Sequence, residues 1–215
     1  MQHRKFNKTD LEVSLLGMGC MRLPQTEDGK VDEAEAIDII RSSIDAGVNY
    51  VDTAYMYHGG VSETIVGKAL KDGYREKVLL ADKMPIWLAK DEDHMKEIFN
   101  DQLKKLDVDY IDMYLVHNVN ISNWKRCKKL NLMPFLEEMK AQGKIRHIGF
   151  SFHSTADELE ALLTAHPEME FVQLQINYAD WENSAIQSRA CYEVARKHGK
   201  PVIIMEPVKG GMLAT

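Results

Sequence analysis

What this 215-residue chain lacks narrows its function first. No apolar run approaches the roughly 20 residues that a membrane-spanning helix requires. The opening residues, MQHRKFNKTD, contain no apolar stretch of the kind that begins a secretory signal. Both absences point to a cytoplasmic address and to no membrane partner. Cationic excess is missing too: 27 Lys and Arg stand against 33 Asp and Glu, a net charge of −6. Such a surface has no basic footprint for nucleic acid. Cysteine is scarce, with Cys20, Cys127 and Cys191 far apart and in no CxxC arrangement. Free thiols in a reducing compartment are the expectation, without a zinc site or a disulfide set. Finally, LLGMGCMRLP offers GMG and no third glycine, so the first apolar run leads into no GxGxxG loop of the doubly wound dinucleotide folds.

What is present is ordinary globular usage, 45% apolar and 28% charged. The length favours one core, so residues 1–215 are expected to form one domain. Strand-like and helix-like stretches alternate. VSLLGMGCM (13–21) reads as a strand, and Ile37, Ile40 and Ile44 then form a helical stripe stopped by Gly47. The strand VNYVD precedes the helical SETIVGKALK. VLLADKM (78–84) precedes a helix with Met95, Phe99, Leu103 and Leu106 on one face. YIDMYLVH (110–117) is followed by the polar insertion NVNISNWKRCKKLN and then by the helix PFLEEMKAQ, ending at Gly143. Next comes HIGFSF (147–152), then a helix through Leu163 opened by Ser154 with Asp157 as its N3 partner. FVQLQINY (171–178), a helix over 188–197 and PVIIMEP (201–207) complete the order.

Seven strands alternating with six helices predict a parallel α/β sheet, since each crossover returns the chain to the same end. The expected fold is a (β/α)8 TIM-type barrel whose copy here stops after the seventh strand. Polar groups gather at successive strand ends: Asp52 and Tyr57, Lys83, His117, Ser151, Gln175 and Asn177, and Glu206. Each alone has a plain explanation in a cap or a solvated edge. Ionisable groups at four converging ends, each after an apolar run, are costly to bury by accident.

At these positions the chain resembles the aldo-keto reductases. The segments that carry the resemblance are GVNYVDTAYMYHGGVSETIVGKAL, LLADK, LDVDYIDMYLVH, GKIRHIGFSFH, VQLQINY and PVIIMEPVKGG, in order and over nearly the whole chain. The resemblance implies a (β/α)8 oxidoreductase that uses NADPH to reduce aldehydes or ketones, with a catalytic tetrad of Asp52, Tyr57, Lys83 and His117. Its five-residue spacing from the aspartate selects Tyr57 over Tyr55 and leaves His58 lining the pocket. EPVKGG further resembles a subgroup that often carries an iron–sulfur segment. No cluster is expected here, because no cysteine group exists.

The chemistry explains those residue types. A free tyrosine has a pKa near 10, high for acid catalysis at neutral pH. An adjacent Lys83 ammonium, held by Asp52, is expected to lower it. His117 would donate a hydrogen bond to the carbonyl oxygen. The nicotinamide carboxamide suits a hydroxyl and an amide, by resemblance Ser151 and Gln175, with Asn177 in reserve. Two positions depart from many relatives: Phe152 where asparagine is common, and Met205 where an aromatic ring commonly stacks on the nicotinamide. Glu206, Pro207, Gly210 and Gly211 would complete the cofactor loop. Trp87 is expected at the substrate mouth, and Trp124 either there or packed on its own scaffold. His94, His147, His153, His166 and His198 share no face, so no metal site is expected. The truncation predicts unpaired edges on the first and seventh strands and a monomer or weak homodimer. A second reading on the same scaffold is a weak or inactive nucleotide-binding or regulatory protein.

Overall fold

The computed structural model describes residues 1–6 and 11–214. Strands β1 (His3–Lys5) and β2 (Glu12–Ser14) form a small antiparallel hairpin. The remaining strands are β3 (Met18–Gly19), β4 (Tyr50–Asp52), β5 (Leu79–Met84), β6 (Ile111–Val119), β7 (Ile145–Phe152), β8 (Phe171–Gln175) and β9 (Val202–Met205). They make one parallel sheet in chain order. Helices α1 (Glu33–Asp45), α2 (Ser62–Ala69), α3 (Glu92–Leu106), α4 (Ile121–Lys129), α5 (Leu132–Ala141), α6 (Ala156–Ala165) and α7 (Ser188–Lys197) supply the crossovers.

The sheet is curled. β4 and β8 lie four places apart, about 19 Å in a flat sheet at the usual strand spacing. Yet Gln173 Nε2 of β8 donates to Asp52 Oδ2 of β4 at 3.1 Å. Side chains from opposite walls therefore meet inside an incomplete barrel. Below them Tyr50, Ala81, Met113, Leu115 and Phe171 fill the interior, and Phe6 closes the floor with its ring 5.9 Å from that of Phe171. Gly149 is required here, because a Cβ would stand 2.6 Å from the Phe171 ring. Outside, the alternate residues Leu80, Val116, Phe150 and Val172 are buried beneath the helices. Gly67 permits the close approach of α2 to α3, where a Cβ would stand 2.6 Å from Leu106 O.

Several expectations need correction. The run 13–21 is no continuous strand: it splits into β2, the two-residue β3 and a 3-10 turn at Cys20–Arg22. The hairpin at the N-terminus was not expected, and it supplies the floor residue. The polar insertion contains α4, begun by Asn120, whose side chain accepts from Asn123 N at 2.9 Å. Its hydrophilic sequence hid a helix that buries Cys127. The residue capping α6 is Thr155, accepting from Glu158 N, and not Ser154. β8 stops at Gln175, three residues earlier than expected.

Among the described residues no strand pairs with the outer edges of β3 and β9. The outward face of β9 is open as well: Ile204 is 53% exposed while its register partner Leu174 on β8 is 2% exposed. Among the described residues no helix is long and apolar enough to cross a membrane.

Candidate active site

Four strand ends build the site. Asp52 is the last residue of β4 and Lys83 the penultimate residue of β5, both pointing into the barrel. Lys83 Nζ has three donors and three acceptors: Asp52 Oδ1 at 2.5 Å, Thr53 O at 2.7 Å and Tyr57 Oη at 3.3 Å. The side chain is 1% exposed, so this ammonium is buried and fully satisfied. Asp52 keeps its second oxygen for Gln173. Gln173 was missed in the sequence, where it reads as one more polar residue in FVQLQ.

Tyr57 returns over Lys83 through a turn in which its N–H donates to Ala54 O at 3.0 Å. The following His58 takes a left-handed φ of 52°. Its Nε2 accepts from Leu23 N at 2.9 Å, tying the loop after β4 to the loop after β3. Tyr55 points elsewhere, its ring 3.8 Å from Lys105 Nζ. The His117 ring is 6.0 Å from that of Tyr57 and 5.1 Å from that of Trp87. Trp124 lies away from this group, edge-on to His166 at 4.7 Å.

A bulge aims His117. The β6–β7 register passes from Val116↔Phe150 to Val119↔Phe152, so His117 and Asn118 together face Ser151. Asn118 takes φ 53°, and its freed N–H donates to Ser151 Oγ at 2.8 Å. Ser151 thus supports the bulge. Its own hydroxyl proton remains available to a ligand. Phe152 faces the other way, buried beside Phe150, which removes it from the strand face that carries Ser151.

The electrostatics depart from expectation at Tyr57. Its pKa is raised: burial contributes most, the lowering by Lys83 comes second, and Asp52 opposes Lys83. The phenol is therefore protonated at neutral pH. Lys83 is held charged, its pKa raised by Asp52 and Tyr57 against the effect of burial. His117 is pushed down to about 3, by burial first and then by Lys83 and His153. It is neutral at neutral pH. Protonation below its ordinary value of 6.5 disfavours the folded state, so this contribution to stability fades as the pH falls toward 3.

The remaining predicted residues gather at the ends of β8 and β9. Met205 is the register partner of Gln175. Asn177 spends its amide on Asp180 Oδ2 at 2.8 Å and Glu206 O at 3.3 Å, and accepts from Asp180 N, so it serves the loop itself. Gln175 Nε2 leans on Asp180 at 3.4 Å. Asp180 is in turn held by Lys209 at 2.6 Å. Glu206 has φ 57° and sits 4.0 Å from Arg22, whose guanidinium covers Gly210. Pro207 lies between Glu206 and a turn at Lys209–Gly211 that contains two left-handed glycines, Gly210 and Gly211. A shallow depression beside Gln175 is lined by His153, Ser154, Ile186, Ser188 and Cys191, apart from the Lys83 group. All three cysteines are free and buried. Burial pushes the Cys127 thiol up to about 12 and the Cys191 thiol up to about 11.

A curled sheet of seven parallel strands with its polar groups at the C-terminal strand ends defines a protein of the (β/α)8-barrel class. The model of the aldo/keto reductase family matches residues 15–215, and the chain belongs to that family. A Glycine max aldo-keto reductase is 30% identical over 189 residues, covering 84% of this chain and 52% of the relative. A Bacillus subtilis (strain 168) aldo-keto reductase is 34% identical over 165 residues, covering 70% and 47%. The chain thus spans about half the length of these curated relatives. The holo form of an aldo-keto reductase from Bacillus halodurans superposes with a TM-score of 0.74 at 29% identity, covering 99% of this chain and 68% of that one. A Klebsiella pneumoniae aldo-keto reductase in complex with NADPH gives 0.75 at 25% identity, covering 94% and 67%.

Proposed function

We propose that the protein is an NADPH-dependent oxidoreductase reducing small aldehydes or ketones to alcohols, with Tyr57 as proton donor. The observation that carries this reading is the Lys83 ammonium, buried, triply satisfied and in contact with the Tyr57 hydroxyl. Nothing in stability alone favours burying a charge beside a phenol.

The residues divide the work. Lys83 donates to Tyr57 Oη, so the phenolic proton is free to point away from it, toward a substrate oxygen. The same ammonium stabilises the tyrosinate that forms as the proton leaves. Asp52 holds Lys83 in place and is itself held by Gln173. His117 stays neutral and orients the carbonyl. Its Nδ1 is buried without a partner among the described residues. An unpaired acceptor is better tolerated than an unpaired donor, which favours the proton on Nε2, where it can be given to the carbonyl oxygen. Trp87 packs on that ring and shapes the pocket.

The nicotinamide would supply the hydride. Ser151 retains a hydroxyl donor and Gln175 an amide oxygen for its carboxamide, with Met205 beside Gln175 to pack on the ring. The glycine turn at Gly210 and Gly211 suits close approach by a phosphate, since a Cβ on Gly211 would meet open space. Arg22 and Lys209 stand beside that turn. NADPH is favoured over NADH by the NADPH complex of the Klebsiella pneumoniae relative.

The test is quenching of intrinsic fluorescence by NADPH, followed by loss of 340-nm absorbance with a panel of aldehydes and ketones. Binding with no turnover across the panel would replace the reductase by a nucleotide-binding protein on the same scaffold. The pH profile adds a prediction. With His117 neutral, kcat for reduction shows no inflection between about pH 6 and 7. Reduction declines only above the ordinary tyrosine value of 10.0, as the donor ionises, and alcohol oxidation, which needs tyrosinate, rises toward that region. A reduction rate that halves near the ordinary histidine value would contradict the neutral assignment.

A further inference from the structure

The backbone of Lys83 is held by side chains where a neighbouring strand would be expected. Thr53 N donates to Ala81 O at 3.0 Å, so Ala81 turns its backbone groups toward β4. Those of Lys83, two residues on, face the same way. But β4 ends at Asp52, in register with Ala81, and leaves no rung for Lys83. Lys83 N donates instead to Asp82 Oδ1 at 2.8 Å, and Lys83 O accepts from Gln102 Nε2 at 2.9 Å. That Nε2 also donates to Asp82 Oδ2 at 2.9 Å, and the Tyr114 hydroxyl donates to Gln102 Oε1 at 2.5 Å. Asp82, Lys83, Gln102 and Tyr114 are all 1% exposed or less.

We propose that Gln102 and Asp82 are positioning residues for the reaction: they replace the missing β4 rung and fix the stem from which Lys83 Nζ reaches Asp52, Thr53 and Tyr57. The divergence of β4 is what opens room for Thr53 O and Tyr57, so the site needs the rung removed and its hydrogen bonds kept. Glu63 of α2 completes the arrangement. It stands beside Asp82 and pairs with Lys105 at 3.2 Å. Burial pushes both carboxyls up, Asp82 the further. The carboxylate oxygen that meets the ammonium is Asp52 Oδ1, while Asp82 meets the backbone N–H of Lys83. Because the Nζ–Tyr57 contact is long at 3.3 Å, a shift of about 1 Å in the stem breaks it, a displacement that costs on the order of 100-fold in rate at such sites.

The kinetic consequence rests on the reductase reading; the placement of Nζ does not. Gln102→Met preserves volume and removes the amide. It is expected to lower kcat by about tenfold to 100-fold with KM and NADPH affinity unchanged, and its crystal structure is expected to show Nζ out of reach of Tyr57 Oη. Asp82→Leu should behave alike, and Asp82→Asn, which keeps the Oδ1 acceptor, should rescue it. Tyr114→Phe frees Gln102 Oε1 without creating a large cavity, and serves if the first variant does not fold. Nζ unmoved in either variant, or kcat unchanged in Gln102→Met, overturns the proposal. Absence of turnover in the unaltered chain sinks the reductase reading alone, because the variant coordinates still decide the positioning.

Discussion

Tyr57→Phe is expected to lower kcat for carbonyl reduction by roughly three orders of magnitude, within the range that loss of a positioned proton donor produces. NADPH affinity should stay within about twofold, since the hydroxyl touches Lys83 and the pocket but none of the residues assigned to the cofactor. The Lys83 ammonium keeps two of its three acceptors in this variant, so folding is little disturbed. Tyr55→Phe is the control: that ring lies against Lys105 and its change should leave turnover alone. Single-turnover rates at saturating cofactor check the pair. A Tyr57→Phe protein that turns over like the parent moves the proton to another donor, and the assignment fails.

The second large effect is on stability. Lys83→Met leaves the Asp52 carboxylate buried with Gln173 as its remaining side-chain partner, and an uncompensated buried charge costs about 3–5 kcal/mol. For a chain of this size that corresponds to a fall in Tm of about 6–20 °C. Activity should vanish as well, because the tyrosinate loses its stabilising charge. Lys83→Met combined with Asp52→Asn should recover most of the stability and none of the activity. This separates the two roles of the ammonium, and calorimetry beside the reductase assay reads both. Equal stability of the single and double variants would mean that Asp52 is not charged in the fold.

Much of this site was legible in the sequence because its parts end apolar runs. Asp52, Lys83 and His117 follow VNYV, VLLAD and MYLV, and a polar group there must find a partner or a task. The alternation of strands and helices was legible for the same reason: each parallel strand is buried on both faces and reads as a block. Other parts escaped. Gln102 occupies a helical position four residues before Leu106 and three after Phe99, inside an apolar stripe, and that misfit was its signal; Leu103 was assigned to the stripe instead. Gln173 gave no signal, because partnership with Asp52 depends on the curl of the sheet. The bulge at His117 and Asn118 leaves no trace in composition, since register is a property of two strands. The net pKa of Tyr57 was out of reach too: proximity to an ammonium was legible, but the opposing weight of burial was not.

The floor of the barrel bears on how the molecule is made. Phe6 and its ring partner Phe171 of β8 lie far apart along the chain. The hairpin must therefore wait, its phenyl group unsheltered by that ring, until β8 has been made. Contacts so distant along the chain form slowly, so the floor is expected to be the last part sealed and the first place where a nascent chain invites a chaperone.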